Sequence, residues 1–461
     1  MRPHSLLAEA SVLSRDEAES LAKRVLALAK ADETRVIITS SVRGNTRFAV
    51  NQVSTAGDNT DVSVVVRAAF GTRVGSASTN RLDDAGLRQV VDSAERLARL
   101  SPEDPEYLPE LEPQQYRPGI GWSDGTASMD PGIRAAMVNR ITEPARAAGL
   151  VSTGYLETRV TAQAIANSKG LFAYERYTSS ALTTTVRTPD GMGSGWAGAA
   201  AADATSIDAA ALAARAIEKA RRSVNAVAIE PGRYTVVLEP TAVGNLVQLI
   251  SGAIGARSAD EGRSFFTKPG GGTKLGMKIV DERVTLVSDP FSPETPGPTF
   301  TGDGLPTAPV TWIENGVVKN LNYDRYWAKK QGVAPTGAAV GFGGGSLRMA
   351  GGTSSMDELV AGVQRGLLVT RFWYIRPVDQ RTILYTGLTR DGTFLIENGR
   401  VTRPVKNLRF NESPIFLLNN LEALGRPERV SSSESGNAGP SIVMPPVRAR
   451  EFSFTSLSEA V

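Results

Sequence analysis

The sequence predicts an α+β fold in two parts. The first is an N-terminal α/β domain over residues 1–228, a curved antiparallel sheet with helices. The second, residues 229–461, is a C-terminal β-barrel-like domain with few helices. Three observations carry this expectation. The first half mixes strand-like runs with amphipathic helices. Near residues 226–232 the chain changes character, and helical periodicity thins out beyond it. Past that point two segments echo each other, residues 312–319 and 395–402, each setting Asn-Gly between apolar residues. Asn-Gly there is a strong hairpin signal, because a type I′ turn needs positive φ at both central positions. The 45 glycines and 26 prolines suit a turn-rich fold of short strands better than a helical bundle.

Taken in order, Ser14-Arg-Asp-Glu17 is a capping box. It opens a helix whose inner face carries Ala18, Leu21, Ala22, Val25 and Leu28. Strands are expected over 35–41, 47–53 and 61–70, followed by a turn at Gly71-Thr72 and a strand over 74–78. A helix over 83–100 buries Leu87, Val90, Val91, Ala94, Leu97 and Ala98. Residues 101–118, rich in Pro and Glu, form a loop inside the first domain. A helix over 132–148 precedes strands at 151–160, 163–167 and 180–188, with Asn167-Ser-Lys-Gly170 as a turn, and then a helix over 207–222. In the second half only 242–256 and 356–368 read as helices. The remainder reads as short strands divided by Gly, Pro, Asn-Gly and Asp-Gly, with a Gly/Ser-rich loop at 431–440 before a last strand at 451–454.

Composition excludes much catalytic equipment. The chain has one histidine, His4, in a short polar N-terminal segment, and no cysteine. A zinc site almost always needs imidazole or thiolate ligands. A Ser-His-Asp triad needs an imidazole base, and a cysteine nucleophile needs a thiol. The 51 basic and 48 acidic residues give a net charge of +3, without the clustered Lys/Arg expected of a nucleic-acid binder. No apolar run approaches the ~20 residues of a membrane helix, and the N-terminus lacks an apolar core of signal-peptide length. The expected setting is the cytoplasm, with no membrane and no disulfide scaffold.

Several stretches in the right order resemble the TldD/PmbA (TldD/TldE) family. They are residues 234–244 (YTVVLEPTAVG), 61–80 with Val-Val-Arg67 and Gly75-Ser-Ala-Ser-Thr-Asn80, 278–289 (KIVDERVTLVSD), 311–325 with Tyr323-Asp-Arg325, and 395–406 ending in Arg403-Pro-Val-Lys406. The resemblance covers nearly the whole chain. It implies kinship with a zinc-dependent peptidase of TldD type, which carries HExxxH on a helix just after the strand matched here at 234–240 and a cysteine ligand near the C-terminus. In that motif two imidazoles and a thiolate hold the metal and the glutamate activates water.

This sequence departs from that pattern. The ungapped alignment puts Gln248 and Ala253 at the two histidines and Leu249 at the glutamate, while the cysteine position falls within 431–435. Gln248, Leu249 and Ala253 are therefore degenerate metal-site positions. Val243, Leu246, Val247, Ile250 and Ile254 recur at helical spacing, as in a plain core helix. By resemblance the chain is similar to the TldE/PmbA type, which lacks the motif and pairs with a TldD-type subunit in a complex that degrades or matures peptides. The expectation is no cofactor in this chain, zinc in the TldD-type partner, and a peptide or unfolded polypeptide as substrate. The alternative is a stand-alone, homo-oligomeric binding protein, for instance a homodimer.

Other features have plain readings. Gly270-Gly-Gly272 and Gly343-Gly-Gly345 lack the spacing of phosphate-binding loops. Residues 371–376 (RFWYIR) suit a strand with Phe372 and Tyr374 on one face and Trp373 and Ile375 on the other. Arg371, Arg376 and Arg381 are candidates for lining a peptide cleft. Asp260-Glu261, Asp281-Glu282 and Asp289 could meet a hard cation, but read more simply as solvated loop carboxylates, and Asp303-Gly304 as a turn.

Overall fold

In a computed structural model the chain is described over residues 12–338, 346–431 and 441–458. His4, the glycines at 343–345 and most of the 431–440 loop lie outside the described residues. The N-terminal part is a six-stranded antiparallel sheet, order β3-β2-β1-β4-β5-β6. Its strands are β1 (Glu33–Ala49), β2 (Gln52–Phe70), β3 (Arg73–Thr79), β4 (Val151–Asn167), β5 (Phe172–Arg187) and β6 (Ser194–Ala201). Its helices are α1 (Arg15–Leu28), α2 (Asp84–Leu100), the short α3 (Asp124–Ala127), α4 (Pro131–Ala147) and α5 (Ala209–Arg222). The Ser14/Glu17 capping box starts α1, and Asp83, Asp130 and Asp208 cap α2, α4 and α5 through their side chains. Such a cap is worth about 1 kcal/mol.

The strands are longer than the sequence suggests. Residues 35–41 and the first part of 47–53 belong to one strand, β1, and 151–160 and 163–167 belong to β4. The missed hairpin between β1 and β2 turns at Val50-Asn51, both at positive φ (52° and 58°). A β-branched residue in that region is an outlier, so local sequence gave no turn signal. Asn51 holds the turn from a distance. Its Nδ2 donates to the Leu150 carbonyl at 2.8 Å, and its Oδ1 accepts from the Ser152 N–H and hydroxyl, both at 2.7 Å. Replacing Asn51 with Ala is expected to cost about 1–3 kcal/mol, because buried Ser152 loses its acceptor; a urea midpoint unchanged from the parent would contradict this. Strand β6 also went unread. Leu97 was expected inside, but it sits at the margin of the α2 stripe and is 45% exposed.

The C-terminal part contains a closed barrel. Its strands β7 (Gly232–Leu238), β12 (Arg365–Asp379), β13 (Leu384–Glu397), β15 (Leu408–Glu412) and β19 (Val447–Leu457) pair in the order β12-β7-β19-β15-β13, and β13 pairs back to β12. Strand β14 (Arg400–Pro404) joins at β13, and β16 (Leu421–Leu424) at β19. A second sheet, order β10-β9-β8-β11-β18-β17, is built from β8 (Leu286–Ser288), β9 (Val310–Glu314), β10 (Val317–Val318), β11 (Leu347–Met349), β17 (Glu428–Ser431) and β18 (Ser441–Met444). Both Asn-Gly pairs make the expected turns: Asn315 and Gly316 lie at φ 49° and 78°, Asn398 and Gly399 at 52° and 74°. Phe372, Phe410 and Phe452 converge from β12, β15 and β19, with ring centroids 4.6–5.8 Å apart.

Helices are more numerous here than predicted, and shorter: α6 (Pro240–Val247), α7 (Ala256–Asp260), α8 (Arg325–Gln331), α9 (Met356–Ala361) and α10 (Pro414–Asn419). The helix expected over 356–368 stops at Ala361. Leu367 and Leu368 instead pair with Val236 and Val237 of β7, because a central barrel strand presents the same apolar run as a buried helix. Asp391-Gly392 is a bulge inside β13, not a turn between strands.

The Pro/Glu-rich segment 101–118 has no long regular element and ties the two parts together. Glu106 accepts two hydrogen bonds from Arg257, each 2.7 Å, Arg325 donates to the Pro109 carbonyl, and the Tyr116 hydroxyl donates to the Gly304 carbonyl. The N-terminal sheet thus has helices on one face and the C-terminal part against the other. On that second face Phe300 packs with Ile165 and Leu171, and Thr299 donates twice to the buried Glu175 carboxyl.

Candidate functional site

Gln248, Leu249 and Ala253, the positions expected to stand where a metal motif would be, follow β7. Pro240 occupies the first turn of α6, where a missing N–H costs nothing. Every residue of α6 is buried. Glu239, just before it, pairs with Lys219 of α5 at 2.7 Å and so joins the two parts of the molecule. A Cβ on Gly244 would meet Ile442 at 2.9 Å, so this glycine permits the close approach of β18. Asn245, 4% exposed, accepts the Phe372 N–H through Oδ1 at 3.2 Å and docks the helix on the barrel.

The helix predicted over 242–256 does not run through. It ends at Val247 and tightens into a 3₁₀ segment, Gln248–Gly252, before α7. Gln248 caps α6, and its carbonyl accepts the Ser251 hydroxyl. Leu249 and Ala253 are half-buried against the barrel core. Ser251 and Gly252 are weak helix formers, and the 3₁₀ turn is a common way for an α-helix to end. At these three positions the chain offers an amide, an isobutyl group and a methyl group. That donor set does not fit a zinc ion, which binds imidazole, thiolate or carboxylate. Among the described residues no three His, Cys, Asp or Glu side chains come together as a metal site.

The other acidic candidates are engaged locally. Asp260 accepts the Trp327 indole N–H at 2.6 Å. Glu261 pairs with Arg257 and Arg263, and Glu282 with Lys278. Asp281 pairs with Arg283 at 2.7 Å, whose hydrogen bonds bring its carboxyl down to about 2. Gly270, Gly271 and Gly272 all lie at positive φ in a turn between Thr267 and Thr273, away from any strand-to-helix junction.

The three arginines are placed apart. Arg371 is buried at the junction of the two parts. It donates through Nε and Nη2 to Asp391 Oδ2 at 3.0 and 2.5 Å and lies over the Trp196 ring of β6 at 4.7 Å. Asp391, 1% exposed at its side chain, also accepts the Ser194 hydroxyl at 2.6 Å. Burial opposes its charge, but Arg371 and Ser194 hold its carboxyl below the usual range. Arg376 stacks on the exposed Tyr374 ring, and Arg381 lies in the exposed β12–β13 turn. Neither lies with Arg371 in the cleft at the junction. The expected alternation of Phe372 and Tyr374 fails. Tyr374 takes φ 55° at a break in the β12–β13 register, so Phe372 is buried and Tyr374 is 49% exposed. Reasoning from sequence missed Arg187, Arg390 and Asp391, which share the cleft with Arg371. The Asp-Gly at 391–392 was its one visible sign, and it reads as a turn.

Three successive family models match the chain: domain 1 of the PmbA/TldA metallopeptidases over residues 35–98, their central domain over 124–224, and their C-terminal domain over 231–456. The chain belongs to the PmbA/TldD metallopeptidase family. A metalloprotease of Methanothermobacter thermautotrophicus is 28% identical over 246 residues, 50% of this chain and 51% of that protein. A zinc metalloprotease TldD homolog of Saccharolobus solfataricus is 26% identical over 220 residues, 44% of this chain and 46% of that protein. The chain thus matches about half the length of these relatives. The crystal structure of TldE from Thermococcus kodakarensis superposes with a TM-score of 0.82 at 19% identity, covering 95% of this chain and 99% of that one. At that identity the likeness is one of fold. Among the described residues, no helix of this PmbA/TldD-family chain is long and apolar enough to cross a membrane.

Proposed function

We propose that this chain is a non-catalytic, TldE/PmbA-type subunit of a cytoplasmic zinc metallopeptidase complex, paired with a TldD-type subunit that holds the zinc. It would shape the chamber in which a peptide or unfolded polypeptide is degraded or matured. One observation carries the reading: Gln248, Leu249 and Ala253 occupy the motif positions, in a chain with no cysteine and a single histidine. Leu249 cannot accept a proton from water, and neither Gln248 nor Ala253 can replace an imidazole at zinc. Membership of the family and the TldE-like fold support the same assignment. An extended peptide could add to a sheet edge, satisfying main-chain groups without reading sequence.

The test is reconstitution. The purified chain is expected to carry no stoichiometric zinc by elemental analysis and to cleave no unfolded polypeptide. Mixed with a TldD-type subunit from the same cells, it is expected to give cleavage that a chelator abolishes. Chelator-sensitive hydrolysis by the isolated chain would refute the proposal. Failure to bind any TldD-type subunit, with a homodimer in native mass spectrometry, would point to the stand-alone binding protein instead.

A further inference from the structure

Strand β2 is 19 residues long and its outer neighbour β3 only seven. β3 pairs with β2 from Phe70 back to Val64, where Thr79 is the last partner. The chain then turns away into α2, capped by Asp83. From Val64 toward the hairpin, no strand among the described residues pairs with the outer edge of β2. That edge is regular from Thr55 to Ser63, each residue standing opposite one of β1 from Arg47 to Thr39. Such a run extends about 30 Å at the rise of an antiparallel strand. The irregularity comes at Ser54, an extra residue between the pairs Phe48–Val53 and Arg47–Thr55.

An open edge offers a row of main-chain donors and acceptors to any other strand, and proteins commonly blunt it with lysine, proline, brevity or a cover. Residues 55–63 contain no Lys, Arg or Pro. Thr55, Ala56, Asp58, Asn59, Thr60 and Asp61 are exposed, and all are small enough to let another strand come close. Of the two carboxylates, Asp58 is matched by Arg134 at 2.6 Å. Ile133, next to Arg134 in the first turn of α4, is 47% exposed.

We propose that β2 pairs with β2 of a second copy of this chain, antiparallel about a twofold axis at Gly57, joining the two six-stranded sheets edge to edge. The inference goes beyond the function proposed above and does not rest on it. Symmetry fixes the register, because two antiparallel strands related by a twofold place one residue opposite its own copy. Asp58 or Asp61 in that place would oppose like charges. Asn59 there would carry the Val50-Asn51 turn as far as Arg67, into the partner's β3, which already lies beside that residue. With Gly57 on the axis, Asn51 reaches Ser63 and stops short of β3. This is the longest overlap that clears β3. Ala56 then faces Asp58 and Thr55 faces Asn59, so no like charges stand opposite each other. A second copy is the occupant because the joint needs a strand open on one edge and ended by a turn at the same distance, and β2 itself is such a strand. Arg134 ties α4 to Asp58, so the same axis brings the exposed Ile133 beside the joint.

The experiment uses the full chain, which has no cysteine of its own. Residues directly opposite in antiparallel strands have Cα atoms about 4.5–5.5 Å apart, within reach of a disulfide. The single-cysteine variants Gly57→Cys and Asn59→Cys are treated with oxidised glutathione and read on non-reducing gels. A Cβ at Gly57 meets only Asn45 Nδ2, at 4.0 Å, so the new side chain fits. Gly57→Cys is expected to form a covalent dimer. Asn59→Cys, whose copy stands well along the strand, is expected not to. In sedimentation velocity the parent is expected to be a dimer at micromolar concentration. Gly57→Lys, which sets lysine opposite lysine, is expected to be a monomer with the circular dichroism of the parent. If Gly57→Lys does not fold, the contrast between the two cysteine variants decides. A monomeric parent, cross-linking of Gly57→Cys no faster than that of Asn59→Cys, or a folded Gly57→Lys variant that dimerises as tightly as the parent would overturn the inference. None of these outcomes alters zinc content or chelator-sensitive cleavage, so the two proposals fail separately.

Discussion

Replacing Asp391 with Asn is expected to destabilise the chain by about 3–5 kcal/mol, the range seen when one member of a buried ion pair is removed. Asn is the appropriate substitution because residue 391 sits at φ 53°, a region that Asn tolerates as Asp does. The backbone is left unstrained and the charge alone is lost. Arg371 would then keep its guanidinium in a site where its side chain is only 9% exposed, with Asp391 its one recorded ion-pair partner among the described residues. The pair also clamps β13 to Ser194 and Trp196 of β6, so the loss is expected to loosen the junction between sheet and barrel. Urea denaturation reads the cost. In the double variant Arg371→Met/Asp391→Asn the stranded charge is gone, and more than half of the stability should return. A single variant within about 1 kcal/mol of the parent, set against the usual cost, would show that the pair is not buried as described.

The second large effect is a dependence of stability on pH between about 4.5 and 7. Glu412 of β15 is 4% exposed. Its Oε1 accepts the Ser413 N–H at 2.8 Å and its Oε2 the Ser453 N–H at 3.1 Å, beside an irregularity in β19. Burial pushes its carboxyl up to about 7, although those N–H groups and the charge of Arg233 favour the ionised form. The unfolded chain releases this proton near the ordinary glutamate value of about 4.3. Between the two values the folded state holds one proton more than the unfolded state, so stability falls as pH rises. The contribution is fully present below about 4.3 and is lost as pH rises through about 7, on the order of 3–4 kcal/mol. Histidine normally titrates in this window, and the chain has only His4. Glu175, raised by burial as well, contributes in the same direction, so the difference between the parent and Glu412→Gln isolates Glu412. The variant is expected to have a flatter profile of melting temperature against pH. Parallel profiles would remove Glu412 as the source.

Sequence patterns were legible where local chemistry decides the structure. The Ser14/Glu17 box, the apolar stripe of α2 apart from Leu97, and the two Asn-Gly turns form as read, because caps, amphipathic faces and positive-φ turns are set within a few residues. Errors fell where a distant partner decides. Val50-Asn51 turns because Ser152 and Leu150 hold Asn51. Leu367 and Leu368 are strand because β7 lies beside them. Asp391-Gly392 bulges because β12 takes one residue fewer to cover the same span.

The candidate site divides in the same way. The residue types at 248, 249 and 253 and the missing thiol were plain from the sequence, since the presence of a donor atom is a property of composition. By itself the sequence determined that the chain has no thiol and a single imidazole, and which family pattern it follows. Only the tertiary structure decided that α6 stops at Val247, and that Arg371 is spent on Asp391 while Arg187 and Arg390 share its cleft. Those side chains lie up to about two hundred residues apart in sequence. Their meeting is fixed by barrel closure and by the sheet docked against it, which no local pattern encodes.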